Sequence, residues 1–253
     1  MSPFRLTISI GLLFVFLAGC TGWPQARLDA YLGSSKADLR ELAALPGGPV
    51  KVGLLVINDT ASPDSAPQLS EESLASLTQH VQAQLNQQVP IEVVTVISST
   101  IPLAPTANLA PVLQLAKENN LEFMMMTILS STEIEVPDRL PLNGTLIGGA
   151  GRGLLVGYRA ENFALAELAL VDVHAGKELL RVDGQAWASL ERLDVPLESN
   201  VYPVVRRNLE VPPIYPSAES HAHDVLRAVA SSDAVNQAVK NLKEVWGKSE
   251  YNS

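Results

Sequence analysis

The 253-residue chain carries 18 basic and 27 acidic side chains, a net charge of −9, and a single cysteine. This acidic balance argues against binding nucleic acid, or anionic headgroups through a basic patch, because both present phosphates. One cysteine cannot form a disulfide within the chain or a thiolate metal site. The length is sufficient for one domain with a sizeable core.

The N-terminus predicts an export signal. One cation precedes an apolar run over 6–16 that is too short to cross a bilayer. The run is followed by a tetrapeptide that resembles the lipobox of bacterial lipoproteins, namely Leu17, Ala18, Gly19 and Cys20. In that family signal peptidase II cuts before the cysteine, which then carries a diacylglycerol and an N-acyl chain. The resemblance implies a signal peptide over 1–19, recognised through its last three residues, and a stable lipid anchor on Cys20. An ordinary secretory signal with a chance cysteine is the alternative.

Removal of 1–19 leaves 234 residues with a net charge of −10, and lipidation leaves no free thiol nucleophile. Residues 20–49 are predicted to be the lipidated cysteine and a tether. Arg27 to Leu45 is mildly amphipathic, but Gly33-Ser34-Ser35 interrupts it and 46–49 stop any helix. A short helix on a spacer is the simpler interpretation, and a partner-binding helix is the other.

The first half of the domain alternates strands and helices. Val50 to Ile57 is a nearly continuous apolar run, typical of a strand covered on both faces. Ser70 is a candidate N-cap for a helix whose apolar positions follow helical spacing, namely Leu74, Leu77, Val81 and Leu85. A second strand over 91–97, a second helix around 109–116 and a very apolar strand over 121–129 are predicted next.

The second half is less regular. Pro137 and Pro141 are predicted to end the third strand and to open a Gly-rich flap over 137–161, since a loop that long is usually functional or mobile. A hairpin follows, with strands over 162–173 and 177–191. The last elements are a Pro-rich irregular wrap (193–217), a helix from Ala222 to Trp246 with a candidate break at Ser231–Asp233, and a disordered tail (248–253).

The element order predicts one α/β (α+β) domain over 50–247, arranged β-α-β-α-β-β-β-α. We expect a mixed sheet of about five strands, with helices packed on it and a late antiparallel hairpin.

The strand-helix start and the late hairpin, Leu170 to Leu180, resemble the small periplasmic domain shared by several lipoproteins. These are the curli secretion channel family, the penicillin-binding-protein activator lipoproteins and the N-terminal domain of the Tol–Pal propeller protein. Signal, start and hairpin are also similar to the rhombotarget lipoprotein family. The resemblance covers Val50 to Trp246 and, outside the lipobox, rests on pattern. It implies a domain that acts through protein contacts or ring assembly, not catalysis, and carries over only Cys20 as a functional residue.

Catalytic and metal motifs are weak. The chain has four histidines and no Gly-x-Ser-x-Gly elbow. His221, His223 and Asp224 have a spacing that could serve a metal, although a solvated helix start explains it more simply. Glu133 and Glu135 point the same way on a strand, so they cannot flank a glycosidic bond and are predicted to form a solvated strand end.

Gly148 to Gly153 lacks the glycine spacing and the following helix of a phosphate-binding loop. We therefore predict no catalytic residue, no metal and no cofactor beyond the covalent lipid.

Together these features predict a non-enzymatic lipoprotein that binds or helps assemble another envelope protein. Thr21, where inner-membrane lipoproteins of enteric bacteria carry Asp, favours the outer membrane facing the periplasm. The candidate contact residues lie in the flap and the wrap, namely Leu146, Ile147, Leu154, Leu155, Tyr158, Tyr202 and Tyr215. A subunit of a homo-oligomeric outer-membrane secretion channel is the main alternative, and a hydrolase with an unrecognised site is the weaker one.

Overall fold

A six-stranded mixed sheet is the frame of the protein in the computed structural model, which describes residues 22–34, 48–97, 104–141, 154–193, 203–207 and 212–251. The strands are β1 (Val50–Asn58), β2 (Ile91–Ile97), β3 (Phe123–Pro141), β4 (Leu154–Asp172), β5 (Lys177–Leu193) and β6 (Val204–Arg207). Their order in the sheet is β2-β1-β3-β4-β5-β6. β1 is parallel to both neighbours, and the pairs from β3 to β6 are antiparallel. The predicted α/β class and the late hairpin are confirmed.

Helices cover both faces of the sheet. They are α1 (Leu28–Leu32), α2 (Glu71–Gln88), α3 (Ala110–Glu118) and α4 (Ala222–Tyr251), with a short 3-10 turn (Glu219–His221) before the last. One apolar core lies between the sheet and α2 with α4, and a second lies between the sheet and α1 with α3. Successive strand residues point to opposite faces, so Leu54 enters the first core and Leu55 the second. Two covered faces explain why β1 is apolar from Val52 to Ile57.

The predicted first long helix is confirmed at its start and on its buried side. Ser70 is the N-cap of α2 and accepts from the Ser73 N–H at 3.2 Å. Leu77, Val81 and Leu85 are buried against the sheet. Full burial of each such side chain stabilises the fold by roughly 1.5–3 kcal/mol.

Strands β3 and β4 extend far beyond the rest of the sheet. β1 pairs with β3 only as far as Leu129. Past that point, 130–141 of β3 pairs with 154–165 of β4, and 157–165 of β4 also pairs with 185–193 of β5. We call these three segments the arm. The prediction that Pro137 and Pro141 end the third strand is wrong, because Pro137 pairs with Tyr158 and Pro141 with Leu154.

Proline is tolerated there because β3 is no longer paired with β1 and is an edge strand. Proline has no N–H to donate, and an edge strand does not need that donor on its free side. The predicted flap over 137–161 is therefore strand at both ends, and its centre, 142–153, lies outside the described residues.

The last part of the chain is also more regular than predicted. β6 forms inside the predicted wrap because Val204 and Val205 are completely buried, and Val205 also bridges to Ile214. α4 runs unbroken through Ser231–Asp233, since Ser231 is buried between Ala230 and Ala234, which pack on the sheet. It continues to Tyr251, so the predicted tail begins inside a helix.

Residues 22–34 are part of the fold, which corrects the prediction of a tether over 20–49. Leu28, Tyr31 and Leu32 are buried in the second core, and the Ala107 N–H donates to the carbonyl oxygen of Ala30 at 2.7 Å. Residues 20, 21 and 35–47 lie outside the described part of the chain. Within the described part, no helix combines the length and apolarity needed to cross a membrane.

Candidate functional site

A polar cluster lies between the arm and the first turns of α4. Glu133 of β3 binds two α4 side chains: its Oε1 is 2.6 Å from His223 Nδ1, and its Oε2 accepts from Arg227 Nη1 at 3.1 Å. Glu135 is exposed, as a solvated strand end requires, but Glu133 is not. The prediction is therefore wrong for Glu133, which joins β3 to α4.

Tyr158 extends this cluster along β4. Its hydroxyl accepts from Arg192 Nη1 at 2.6 Å, and its ring stacks on that of His223 with centroids 6.3 Å apart. Arg192 also pairs with Glu219, at the turn before α4. Burial raises the pKa of Tyr158, and the Arg192 hydrogen bond opposes this. Tyr158 thus belongs to an ion-paired network.

Asp224 connects the first turns of α2 and α4. It accepts from Ser70 N–H at 2.9 Å, from Ser70 Oγ at 2.7 Å and from Ser73 Oγ at 2.5 Å. Burial raises the pKa of Asp224, but these hydrogen bonds and nearby Arg227 outweigh it, so the pKa is lowered overall. A charged Asp224 is therefore the form that the fold favours.

Asn162 is the least satisfied member of this region. It is fully buried, pairs in register with Glu133 on one side and Ala188 on the other, and neither polar atom of its amide has a hydrogen-bond partner. A buried amide without partners lowers stability.

The chemistry of the cluster is that of ion pairs and hydrogen bonds. His223 is bound to Glu133, whereas both serines donate to Asp224, so the sequence neighbours His223 and Asp224 serve different partners. Among the described residues, no group of three or more histidine, aspartate and glutamate side chains is arranged to hold a metal ion.

On the opposite side of the arm, the N-terminal segment (22–34) docks on the sheet. The Trp23 ring meets the Phe163 ring edge-on at 5.2 Å, and the Thr132 hydroxyl donates to the Gly22 carbonyl oxygen. An ideal Cβ on Gly22 would lie 3.2 Å from Phe163 Cε2 and 3.5 Å from Ile134 Cδ1. The chain is therefore in close contact with the arm at Gly22 and Trp23.

Two buried carboxylates hold this segment further along. Arg27 Nε donates to Asp59 Oδ2 at 2.8 Å, and Arg27 N–H donates to Glu167 Oε2 at 2.5 Å. The Asp59 hydrogen bond raises the pKa of Arg27. Burial, with a contribution from Asp59, raises the pKa of Tyr31 to about 12.

Burial also raises the pKa of Glu167, against the hydrogen bonds from Arg27 and Leu28 N–H groups.

The sequence-predicted site residues fall into three groups. Several lie outside the described residues, namely Leu17, Ala18, Gly19, Cys20, Leu146, Ile147 and Tyr202. Leu154 and Leu155 are in β4, opposite Pro141 and Leu140, at the far end of the arm. Tyr158 is half-buried in the polar cluster, and Tyr215 is 53% exposed beyond β6.

Sequence reasoning missed two groups of contacts. Glu133 and His223 are 90 residues apart, and Arg27 and Glu167 are 140 apart. The spacing of His223 and Arg227 places them on one side of a helix, which is a readable signal. Nothing in the sequence says which strand that side meets.

No protein-family model and no curated protein matches the chain. Solved structures that resemble it include the PelC L103M dodecamer from Paraburkholderia phytofirmans, with 15% identity, 81% of this chain and 94% of that chain covered, and a TM-score of 0.27. The hypothetical protein CT253 from Chlamydia trachomatis has 12% identity, coverages of 79% and 98%, and a TM-score of 0.39. A candidate lipoprotein from Caulobacter crescentus CB15 has 8% identity, coverages of 85% and 97%, and a TM-score of 0.30. Likeness at this level identifies neither a family nor a function.

Proposed function

We propose that the protein is a non-enzymatic lipoprotein of the bacterial cell envelope. Its lipidated Cys20 holds it in the outer membrane, facing the periplasm, where it binds or helps assemble another envelope protein. The observation that carries the proposal is the lipobox, Leu17 to Cys20, directly after a short apolar run.

The docking of the N-terminal segment supports an anchor that works at close range. Gly22 is two residues after Cys20 and already contacts the arm. Two residues span at most about 7 Å, so a lipid on Cys20 would hold the domain beside the bilayer.

The polar cluster supports a role without catalysis. Its carboxylates are held by ion pairs and hydrogen bonds: Glu133 pairs with His223 and Arg227, and Asp224 accepts from two serines. Groups held in this way fix the position of α4 on the arm.

In-cell photo-crosslinking tests anchor and partner together. For this test, Tyr215 of the full chain is replaced by a photo-crosslinking amino acid, and the cells are fed a clickable palmitate analogue. We expect palmitate labelling and an adduct with a different envelope protein, and expect Cys20→Ser to lose both. As a matched control, a crosslinker at exposed Ala175, at the other end of β5, keeps the label without that adduct.

A label that survives Cys20→Ser contradicts the anchor, and an intact anchor without an adduct at Tyr215 contradicts the partner role. An adduct made only of copies of this chain favours the second candidate, a homo-oligomeric secretion channel. The length of β3 and β4, 19 residues each, is the observation in favour of that candidate, because typical strands have 3–10 residues.

A further inference from the structure

The arm exposes apolar side chains on the side where Trp23 packs. Ile134 is 41% exposed and Val136 is 43% exposed, although both are large aliphatic residues. They alternate along β3 with Glu133 and Glu135, which point to the α4 side. Over 133–136, β3 therefore exposes its two aliphatic side chains on the Trp23 side, while its two glutamates point to the α4 side.

The chain arrives at this same surface from the proposed anchor. Ile134 Cδ1 is the atom that an ideal Cβ on Gly22 would approach to 3.5 Å. Cys20 is within about 7 Å of Gly22 along the chain, and Ile134 and Val136 are also about 7 Å apart along the strand. A lipid on Cys20 would therefore enter the bilayer within reach of both side chains.

We propose that the Trp23 side of the arm rests on the bilayer that holds the anchor, with Ile134 and Val136 at the boundary between headgroups and acyl chains. This inference rests on the proposed lipidation of Cys20. Gly22 lies next to both Phe163 and Ile134, and Phe163 packs against the Trp23 ring. Tryptophan is enriched at membrane interfaces because its large ring is apolar and its N–H is polar.

The charges on this surface identify the kind of lipid. Glu161 is opposite Ile134, and Arg159 is opposite Val136 and pairs with Glu191 of β5 at 4.0 Å, so this surface carries charges of both signs. Zwitterionic headgroups match a surface of mixed charge, whereas the hydrocarbon interior excludes it. The contact is therefore shallow, depends on apolar burial, and does not require anionic lipid.

Single cysteines test this contact because the chain has no other cysteine than Cys20, whose sulfur the lipid blocks. Ile134→Cys and Val136→Cys carry an environment-sensitive fluorophore in the full lipidated protein, bound to phosphatidylcholine vesicles that contain nitroxide lipid. Val94→Cys and Val96→Cys are matched controls, since their side chains on β2 are 48% and 41% exposed. We expect a blue shift and quenching at 134 and 136, unchanged in high salt, and water-like emission at 94 and 96.

Two outcomes overturn the inference, provided that the protein still floats with the vesicles. One is equal emission at all four positions, and the other is a signal at 134 and 136 that high salt abolishes. A wild-type protein that does not float and has an unmodified Cys20 by mass overturns the anchor, and this inference with it. Equal unfolding midpoints show that each variant is folded. Should Ile134→Cys misfold, the comparison of Val136 with Val96 decides.

Discussion

Glu167 shows how one buried carboxylate organises a distant stretch of chain. It is 4% exposed and accepts from the N–H groups of Arg27 and Leu28, at the start of α1. Burial raises its pKa, which means that the folded protein holds the Glu167 proton more tightly than the unfolded chain.

The contribution of Glu167 to the free energy of unfolding is therefore expected to fall as pH rises. The loss begins near the ordinary glutamate pKa and is complete above the raised pKa of Glu167 in the folded protein. Glu167→Gln removes this titration and keeps a carbonyl acceptor. In urea denaturation, the free energy of unfolding of the wild type minus that of Glu167→Gln should decrease between pH 4 and pH 7. A difference that stays constant with pH would contradict the expectation. Glu92→Gln, at an exposed position of β2, is the control.

Some single residues were readable from sequence and others were not. Ser70 was predicted as an N-cap because a cap depends on its own few neighbours, and the structure confirms it. Glu133 was not, because its pairing with His223 depends on how α4 crosses the sheet. Local rules predict contacts that lie within one turn.

At the scale of elements, the packing of α4 on β5 depends on a missing side chain. An ideal Cβ on Gly184 would lie 2.2 Å from Ala238 N and 2.4 Å from Ala234 O. Both are backbone atoms of α4, which cannot move aside without moving the helix. At Gly184, the backbones of α4 and β5 are therefore too close together for any side chain on the strand.

Gly184→Ala should lower the free energy of unfolding by about 1–3 kcal/mol, the usual cost of overpacking a core. Gly247→Ala is the matched control, since nothing lies within 4 Å of its added methyl group and it is exposed in the same helix. It should raise stability by up to about 1 kcal/mol, because alanine favours helix. Equal effects of the two variants in chemical denaturation would contradict this account.

The same packing explains which elements the sequence did not predict. Ser231–Asp233 has weak helix formers, but α4 continues because its neighbours Ala230 and Ala234 are buried. β6 has four residues and too short a pattern to read, and it exists because β5 offers a free edge. In both places tertiary contacts decide the local structure.

For the whole molecule, the important result is that the N-terminal segment and the sheet form one body. Arg27 bridges them by its bond to Asp59, whose side chain is only 2% exposed. Replacement of Arg27 by alanine would leave the buried Asp59 carboxylate without its cation.

Arg27→Ala is expected to lower the free energy of unfolding by about 2–3 kcal/mol in chemical denaturation. Arg206→Ala is the control, because Arg206 is 47% exposed and its bond to Glu191 at 3.3 Å is a surface ion pair, worth less than about 1 kcal/mol. A change no greater than that of Arg206→Ala would mean that the segment is a spacer after all.

The sequence predicted the sheet, its two-sided burial and most helices, because those follow from periodicity. It did not predict that 22–34 docks, since α1 has only five residues and its partner Glu167 is 140 positions away.

The described fold includes Gly22, two residues after Cys20, and this proximity has consequences for where a lipidated protein could act. With lipid on Cys20, the protein would diffuse in the plane of the membrane at a fixed height, because two residues are too few to form a long flexible linker. Its farthest reach would be its own body, and α4, with 30 residues, is about 45 Å long. Any partner of the lipidated protein would then have to come within that layer above the lipid.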